Sequence, residues 1–397
     1  MLNLETLFKK LPDMNVFLIR YGEIALKGAN RDFFENKLKR NISKTLDIKY
    51  SRIIKHRSQL IINAAPDEMP KFCENLKKVF GISWFSPGYL IENNLEITAE
   101  LCGKIGKEII QPGNSFAIKA TRSLKEINYT SQDIGIKCGS AVNIATNAPV
   151  NLSNPDVEIL VNVSRAGTYV LPQRIEGLKG MPVGSSSKML SLLSGGFDSI
   201  ASSFLLAKRG ARVDFIHFHV YPDKDMVMES KIPNIIRKLS ESTRTRKLIM
   251  SSYIPFEMKV LGFDRNSYRY EMVLFRRLMA KIAERYAIEN DYAAIIFGDS
   301  LGQVASQTME NLAAVVDAVR IPIFRPLIGM DKIEVIEFVR KIGLYKEASE
   351  NYKDCCSIVS PRPITKAKLP IIYSLENQLN ITEIIDQMLK EIQVELV

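Results

Sequence analysis

The string Ser194-Gly-Gly-Phe-Asp-Ser199 constrains this chain more than any other stretch. It follows a short apolar run, Met189 to Leu193, of the length of a buried parallel strand, and it precedes Ala201 to Ala207, which reads as a helix. A small-residue turn from strand into helix is where α/β proteins hold phosphate. Glycine lets the backbone approach the anion, and the amides at the helix start point at it. Ser194 and Ser199 add hydroxyl donors, and Asp198 adds a carboxylate. A plain Gly-Gly turn between core elements accounts for the glycines but not for this polar frame.

Beyond the turn, strand-like and helix-like segments alternate. Arg212 to His219, Lys247 to Met250 and Ala293 to Phe297 read as strands. Met226 to Ser240, Ser267 to Glu289, Glu310 to Val319, Lys332 to Ile342 and Ile381 to Glu395 read as helices. Such alternation predicts a parallel, doubly wound sheet with its ligands at the carboxyl ends of the strands. Three ends then converge: the turn after Leu193, the His217-Phe218-His219 segment, and Gly298. A stretch rich in Gly, Pro and Ser from Pro172 to Ser187 precedes the first of these strands and reads as a linker.

The half before the linker has a different rhythm. Met14 to Arg20, Gln59 to Asn63 and Trp84 to Ile91 are strand-like, separated by helical patterns over Arg31–Leu46 and Met69–Phe80. This order suits a small α+β unit of ferredoxin-like type. Helical patterns over 95–110 and 131–146 follow, with a strand at Ser115–Arg122 and a hairpin formed by 156–163 and 168–171. A length of 397 residues suits two or three domains. No apolar run approaches the ~20 residues of a membrane span, and the N-terminus lacks a signal-peptide charge order, so cytoplasmic residence is expected. Net charge is +10, and residues 1–170 carry 23 basic against 17 acidic side chains, which suits a polyanionic partner.

Several positions carry chemistry or a duller alternative. His217 and His219 share one strand face, but no third residue of suitable spacing completes a metal site, so lining or packing is favoured over zinc. Arg276-Arg277 is either a solvated pair or a source of a bidentate phosphate contact. The small polar run Gly298 to Thr308 suits a site loop at a strand end. Arg325 and Lys332 flank another helix start, as cap or anion site. Five cysteines rule out a fully paired disulfide framework. Cys73, Cys102 and Cys138 fall in helical patterns, whereas Cys355-Cys356 lies among Lys353, Arg362, Lys366 and Lys368, which can favour a thiolate.

No Gly-x-x-x-x-Gly-Lys-Ser/Thr loop occurs; the 194–199 string instead resembles the PP-loop of the ATP pyrophosphatases. Together with Arg20-Tyr-Gly-Glu-Ile-Ala-Leu-Lys-Gly-Ala-Asn-Arg31, Phe116 to Arg122, Asn154 to Ile159, Gly180 to Gly184, Leu301 to Thr308 and Arg325-Pro-Leu327, it resembles the tRNA 4-thiouridine synthetases (tRNA uracil 4-sulfurtransferases) over almost the whole chain. Ile200 departs from a proline common in that family, and Tyr221 to Ser230 departs from its usual connector.

The resemblance implies an N-terminal ferredoxin-like domain over 1–75, a THUMP RNA-binding domain over 76–172, a linker over 173–187 and a PP-loop ATP pyrophosphatase domain over 188–397. It implies ATP with Mg2+, no metal held by the protein itself, and adenylation of O4 of uridine at position eight of tRNA. A cysteine persulfide then delivers sulfur. Cys356 corresponds to the catalytic cysteine, with Cys355 its neighbour, and Asp198 and Lys332 to functional residues. ATP contacts are implied for Leu192, Leu193, Ser194, Gly195, Gly196, Asp198, Ser199, His217, Phe218, Arg276, Gly298 and Gln307. Arg20, Lys27, Arg31, Lys119 and Arg122 stand in the matched RNA-binding segments. The expected form is a homodimer without the C-terminal rhodanese domain of longer members. It takes sulfur directly from a cysteine desulfurase or sulfide and does not serve thiamine-thiazole synthesis. Two rivals share these features: an amide-forming PP-loop synthetase using ammonia, and a non-catalytic tRNA-binding protein with a vestigial ATP site.

Overall fold

A computed structural model describes residues 3–56, 58–353, 355 and 362–397. The chain divides into two compact units, 1–182 and 183–397.

In the first unit the helices are α1 (Leu4–Lys10), α2 (Arg31–Leu46), α3 (Met69–Leu76), α4 (Leu95–Ile109) and α5 (Ser131–Thr146). The strands are β1 (Val16–Tyr21), β2 (Ile53–His56), β3 (Gln59–Asn63), β4 (Ile82–Ile91), β5 (Phe116–Arg122), β6 (Val157–Ser164), β7 (Gly167–Leu171) and β8 (Ile175–Glu176). They form one sheet in the order β2-β3-β1-β4-β7-β6-β5, with β8 on β4. Only the β5–β6 pairing is parallel among the described strand pairs. Alternate strand residues such as Phe17, Ile19, Phe85, Phe116 and Ile159 join the apolar faces of all five helices in one core. The long β4 belongs to both halves of the sheet: its first part pairs with β1 and its last part with β7.

The second unit contains β9 (Lys188–Leu192), β10 (Arg212–His219), β11 (Lys247–Ser252), β12 (Ala294–Ile296), β13 (Ile323–Phe324) and β14 (Gln393–Leu396). The order is β13-β12-β9-β10-β11-β14. All neighbours are parallel except β11 and β14. Its helices are α6 (Phe197–Lys208), α7 (Lys224–Met228), α8 (Lys231–Thr243), α9 (Ile254–Val260), α10 (Arg265–Tyr268), α11 (Glu271–Glu289), α12 (Met309–Asp317), α13 (Lys332–Lys341), α14 (Tyr345–Ser349), α15 (Leu369–Leu379) and α16 (Ile381–Lys390). Helices α6, α8, α13 and α14 pack together, as do α11, α12, α15 and α16 in a second group with α9. The central strand β9 is followed by α6 and β10 on one side and has β12 on the other. Its carboxyl end is therefore the switch point where such sheets bind ligands.

Four expected helices differ. The one expected over Met69–Phe80 stops at Leu76. The pattern over Met226–Ser240 is broken because Ser230 leaves the helical conformation and accepts from the Ile232 amide, starting α8 anew. Asp264 likewise caps the separate turn α10 ahead of α11. The helix expected to reach Glu395 stops at Lys390, and Gln393–Leu396 instead forms an antiparallel edge strand on β11.

Candidate active site

At the carboxyl end of β9 the backbone turns sharply into α6. Gly195 adopts φ +83°, and a Cβ there would lie 2.6 Å from Ile232 Cδ1. Gly196 is the N-cap of α6 and offers no side-chain acceptor, so no cap side chain covers the amides of the first turn. The two serines organise the turn itself. The Gly196 amide donates to Ser194 Oγ at 3.3 Å, and Ser199 Oγ donates to the Gly196 carbonyl at 3.0 Å. This leaves a positively polarised helix start facing a cavity of about 320 Å³.

Gly298 at the end of β12 brings the neighbouring strand against that turn. A side chain here would place Cβ 2.7 Å from the Asp198 carbonyl carbon and 2.9 Å from the Ser199 nitrogen. Across the mouth, Lys332 at the start of α13 places Nζ 2.8 Å from Asp198 Oδ2. Gln303 Nε2 donates to the same oxygen at 3.2 Å. Asp198 Oδ1 is buried and has no hydrogen-bond partner among the described residues.

The cavity has two characters. Its polar end is built by Ser194, Gly196, Asp198, Ser199, Gln303 and Lys332, and its other walls include Ile216, Phe218, Phe275, Met279 and Phe297. Arg276 enters from α11, paired through Nη2 with Asp299 Oδ1 at 2.6 Å, while its buried Nε has no partner among the described residues. Arg325 Nε holds the other oxygen, Asp299 Oδ2, at 2.9 Å. One buried carboxylate thus fixes two guanidinium groups, both stacked near the Phe297 ring.

Of the residues expected at ATP, Leu192, Leu193, Ser194, Gly196, Asp198, Ser199, Phe218, Arg276, Gly298 and Gln307 line this one cavity. Gly195 and His217 do not. Gly195 shapes the turn, and the fully buried His217 ring lies on the strand face opposite Phe218. Its Nδ1 donates to the Leu193 carbonyl at 2.6 Å, so Nε2 is the acceptor and receives the Tyr352 hydroxyl at 2.7 Å. Burial pushes the His217 pKa down to about 4, so the ring is neutral near pH 7. Its ring lies 6.5 Å from that of His219, yet among the described residues no group of three or more His, Cys, Asp or Glu is placed to hold a metal.

Lys332 and Cys355 also line the cavity, and the Cys355 thiol donates to the Phe218 carbonyl at 3.2 Å. Cys356 lies outside the described residues. Asp299, Gln303 and Tyr352 were not anticipated. Asp299 and Gln303 fall within the polar run after Gly298, which was a signal for a site loop but not for which side chains enter it. Tyr352 sits in a polar segment that carries no periodicity.

The basic residues expected at RNA lie in the first unit and are not one cluster. Arg20 is on β1, and Lys119 and Arg122 are on β5, four strands away in the sheet. Arg31 donates to Glu35, Tyr21 and Ser58, and Lys27 stands over the Phe34 ring. Lys119 donates to the Leu152 carbonyl at 2.9 Å, and Arg122 donates to those of Ile127 and Tyr129.

The family described as thiamine biosynthesis protein (ThiI) matches residues 184–381, its ferredoxin-like domain matches 16–86, and the THUMP domain matches 92–171. A probable tRNA sulfurtransferase of Thermoanaerobacter sp. (strain X514) is 35% identical over 381 residues, spanning 95% of this chain and 99% of that protein. The chain belongs to the tRNA sulfurtransferase family. Another probable tRNA sulfurtransferase, from Geobacillus kaustophilus (strain HTA426), is 34% identical over 381 residues and 94% of each chain. A crystal structure of a 4-thiouridine synthetase–RNA complex with bound ATP superposes with a TM-score of 0.86 at 30% identity, covering 97% of this sulfurtransferase and 100% of that chain. A Pyrococcus horikoshii protein, 23% identical with a TM-score of 0.64 over 83% of this chain and 100% of its own, shares the fold. The ferredoxin-like, THUMP and parallel PP-loop architecture expected from the sequence is the architecture of this family member.

Proposed function

We propose that this family member uses ATP to replace O4 of uridine eight in tRNA with sulfur, forming 4-thiouridine and releasing AMP and pyrophosphate. The observation that carries this reading is one strand-end cavity lined by both an anion-binding helix start and the Cys355 thiol. Similarity to a 4-thiouridine synthetase with RNA and ATP supports the same substrates. In this reading the apolar walls hold the nucleoside of ATP, and Ser194 to Ser199 hold its phosphates. Lys332 and Arg276 balance charge on the phosphates as pyrophosphate departs. The uridine O4 attacks the α-phosphorus, which turns a poor leaving group into AMP.

Mg2+ arriving with ATP fits this cavity and, unlike the expectation of no protein-held metal, would find two side-chain oxygens, because Asp198 Oδ1 and Gln303 Oε1 are buried without partners among the described residues. Together with substrate phosphates they suit a hard cation. When bound it would neutralise phosphate charge.

We assign the persulfide to Cys356, because Cys355 is buried and spends its proton on the Phe218 carbonyl. The outer persulfide sulfur attacks C4 and AMP leaves; an external dithiol reductant then attacks the Cys356 sulfur, releasing 4-thiouridine, and its second thiol displaces the Cys356 thiolate as the reductant closes to a cyclic disulfide. A cysteine desulfurase charges Cys356, and sulfide substitutes for it by attacking C4 directly. Residues 1–75 and 76–172 hold the tRNA, with Arg20, Lys27, Arg31, Lys119 and Arg122 as candidate contacts, and 188–397 carry the chemistry; the stretch 173–187 expected as a linker begins inside the first unit, where Ile175–Glu176 pairs with β4. The protein acts in the cytoplasm as a homodimer. Among the described residues no helix is long and apolar enough to cross a membrane.

The test supplies ATP, Mg2+, a cysteine desulfurase with cysteine, and unmodified tRNA, and follows 4-thiouridine absorbance. Its absence with an active desulfurase would sink the reading. Pyrophosphate release indifferent to tRNA would favour the amide-forming alternative, and no release at all would favour the vestigial one.

A further inference from the structure

His217 stands between two parts of the site that are far apart in sequence. One ring nitrogen is committed to the carbonyl of Leu193, the last residue before the phosphate-binding turn, at 2.6 Å. The other receives the hydroxyl of Tyr352 at 2.7 Å, three residues ahead of Cys355. The Tyr352 ring also packs against His217 and Tyr221, at 5.6 and 5.8 Å between centroids. One residue further along β10, the Phe218 carbonyl receives the Cys355 thiol at 3.2 Å. Successive residues of one strand therefore contact both Tyr352 and Cys355, His217 through its ring and Phe218 through its backbone carbonyl.

The chain leading into this segment is fixed as well. Lys231 Nζ donates to the carbonyls of Ala348 and Glu350 at 3.0 and 2.8 Å. The Lys231 Cε would lie 3.2 Å from a Cβ on Gly195, so the same lysine packs beneath the turn. Residues 350–353 form no helix or strand, and these side-chain contacts help to place them.

We propose that Tyr352 is a positioning residue for sulfur transfer: through His217 it pins the cysteine-bearing segment to the end of β10, in register with the phosphate-binding turn. This rests on the sulfurtransferase reading above. It predicts a separation between the two half-reactions. In the sulfurtransferase reading ATP occupies the cavity, whose lining includes neither Tyr352 nor His217, so adenylation is expected to proceed without the Tyr352 hydroxyl. Sulfur delivery requires the thiol segment at a fixed distance from C4, and misplacement of a reacting group lowers the rate steeply.

Tyr352→Phe removes the hydroxyl and keeps the ring. With full-length protein, desulfurase and tRNA, tRNA-dependent pyrophosphate release and the KM for ATP are expected to stay at wild-type values. The kcat for 4-thiouridine formation is expected to fall about three- to tenfold, the scale of one lost hydrogen bond. Alkylation of Cys355 by a neutral reagent, read by mass spectrometry, is expected to quicken severalfold as the segment loosens. Unchanged thiolation together with unchanged Cys355 labelling overturns the proposal. A parallel loss of pyrophosphate release also overturns it, since Tyr352 would then support the ATP site or the fold as a whole. If wild-type protein itself makes no 4-thiouridine, the sulfurtransferase reading fails, and the labelling comparison still reports on the contact.

Discussion

Lys332 and Asp198, 134 residues apart in sequence, meet at 2.8 Å across the mouth of the cavity. Nearly half of the lysine side chain remains exposed, so the pair adds little to stability, on the order of 0–1 kcal/mol. Its value is electrostatic: it places a cation and a carboxylate where phosphate charge is redistributed. Lys332→Ala is expected to slow pyrophosphate release by about 10²–10³-fold, the usual cost of removing one donor to developing charge. Asp198→Asn should cost at least as much. Thermal midpoints close to wild type in both variants check that the loss is chemical; a large drop in midpoint would contradict this account.

Gly298 makes a sharper geometric demand. An added methyl would sit 2.7 Å from the Asp198 carbonyl carbon, and neither β12 nor the first turn of α6 is a flexible side-chain end that can swing aside. Gly298→Ala is therefore expected to cost about 1–3 kcal/mol of stability by overpacking. It should also raise the KM for ATP, because the strained turn carries the phosphate contacts. Gly329→Ala meets nothing within 4 Å and serves as the control. Equal denaturation midpoints and equal KM values for the two variants would refute the argument.

The elements legible in the sequence are those whose signals are local. Helix α2 spans Arg31–Leu46 as its periodicity predicted, and α5 spans Ser131–Thr146 behind the Thr130–Asp133 capping box. The Ser194–Ser199 turn was readable because strand, glycines and helix follow one another directly. Strand β14 was not readable, because Gln393–Leu396 becomes a strand only through pairing with β11, which is distant in sequence. Asp299 was missed for a related reason. A carboxylate in a polar loop looks solvated until two arginines from other elements converge on it.

Arg276 and Arg277 show why spacing could not divide neighbours. Consecutive helical residues point about 100° apart, and one turn of pattern does not say which faces a ligand. Arg276 reaches the cavity, whereas Arg277 is buried against Glu376 at 2.9 Å and Asp317 at 3.0 Å and donates to the Ala314 carbonyl. Arg277→Ala strips Glu376 of its bidentate partner, leaving only Lys281, and is expected to cost about 3–5 kcal/mol. Folded Arg277→Ala should keep the wild-type KM for ATP. Arg276→Ala also unpairs a buried carboxylate, Asp299, which keeps Arg325, so it is expected to cost stability as well, but unlike Arg277→Ala it should raise the KM for ATP. Chemical denaturation and pyrophosphate-release kinetics on the two variants separate the roles, and matched defects would mean that the division is wrong.

The neutral His217 ring gives the fold a pH dependence of definite sign. Its folded pKa of about 4 lies below the ordinary value of 6.5, because burial disfavours the charged ring. Above pH 6.5 the ring is neutral in both states, and the stabilisation from this source is complete. As pH falls from 6.5 toward 4, the unfolded chain takes up a proton that the folded chain refuses, and stability declines by up to about 3 kcal/mol. His219, whose pKa burial also lowers, adds to the fall with the same sign. Once His217 is protonated, Nε2 becomes a donor and can no longer accept from Tyr352. Urea midpoints measured between pH 7 and 4.5 should therefore fall more steeply for the wild type than for His217→Gln, which keeps the carboxylates but has no titrating ring. Parallel slopes for the two proteins would show that the ring at position 217 is not held neutral by the fold.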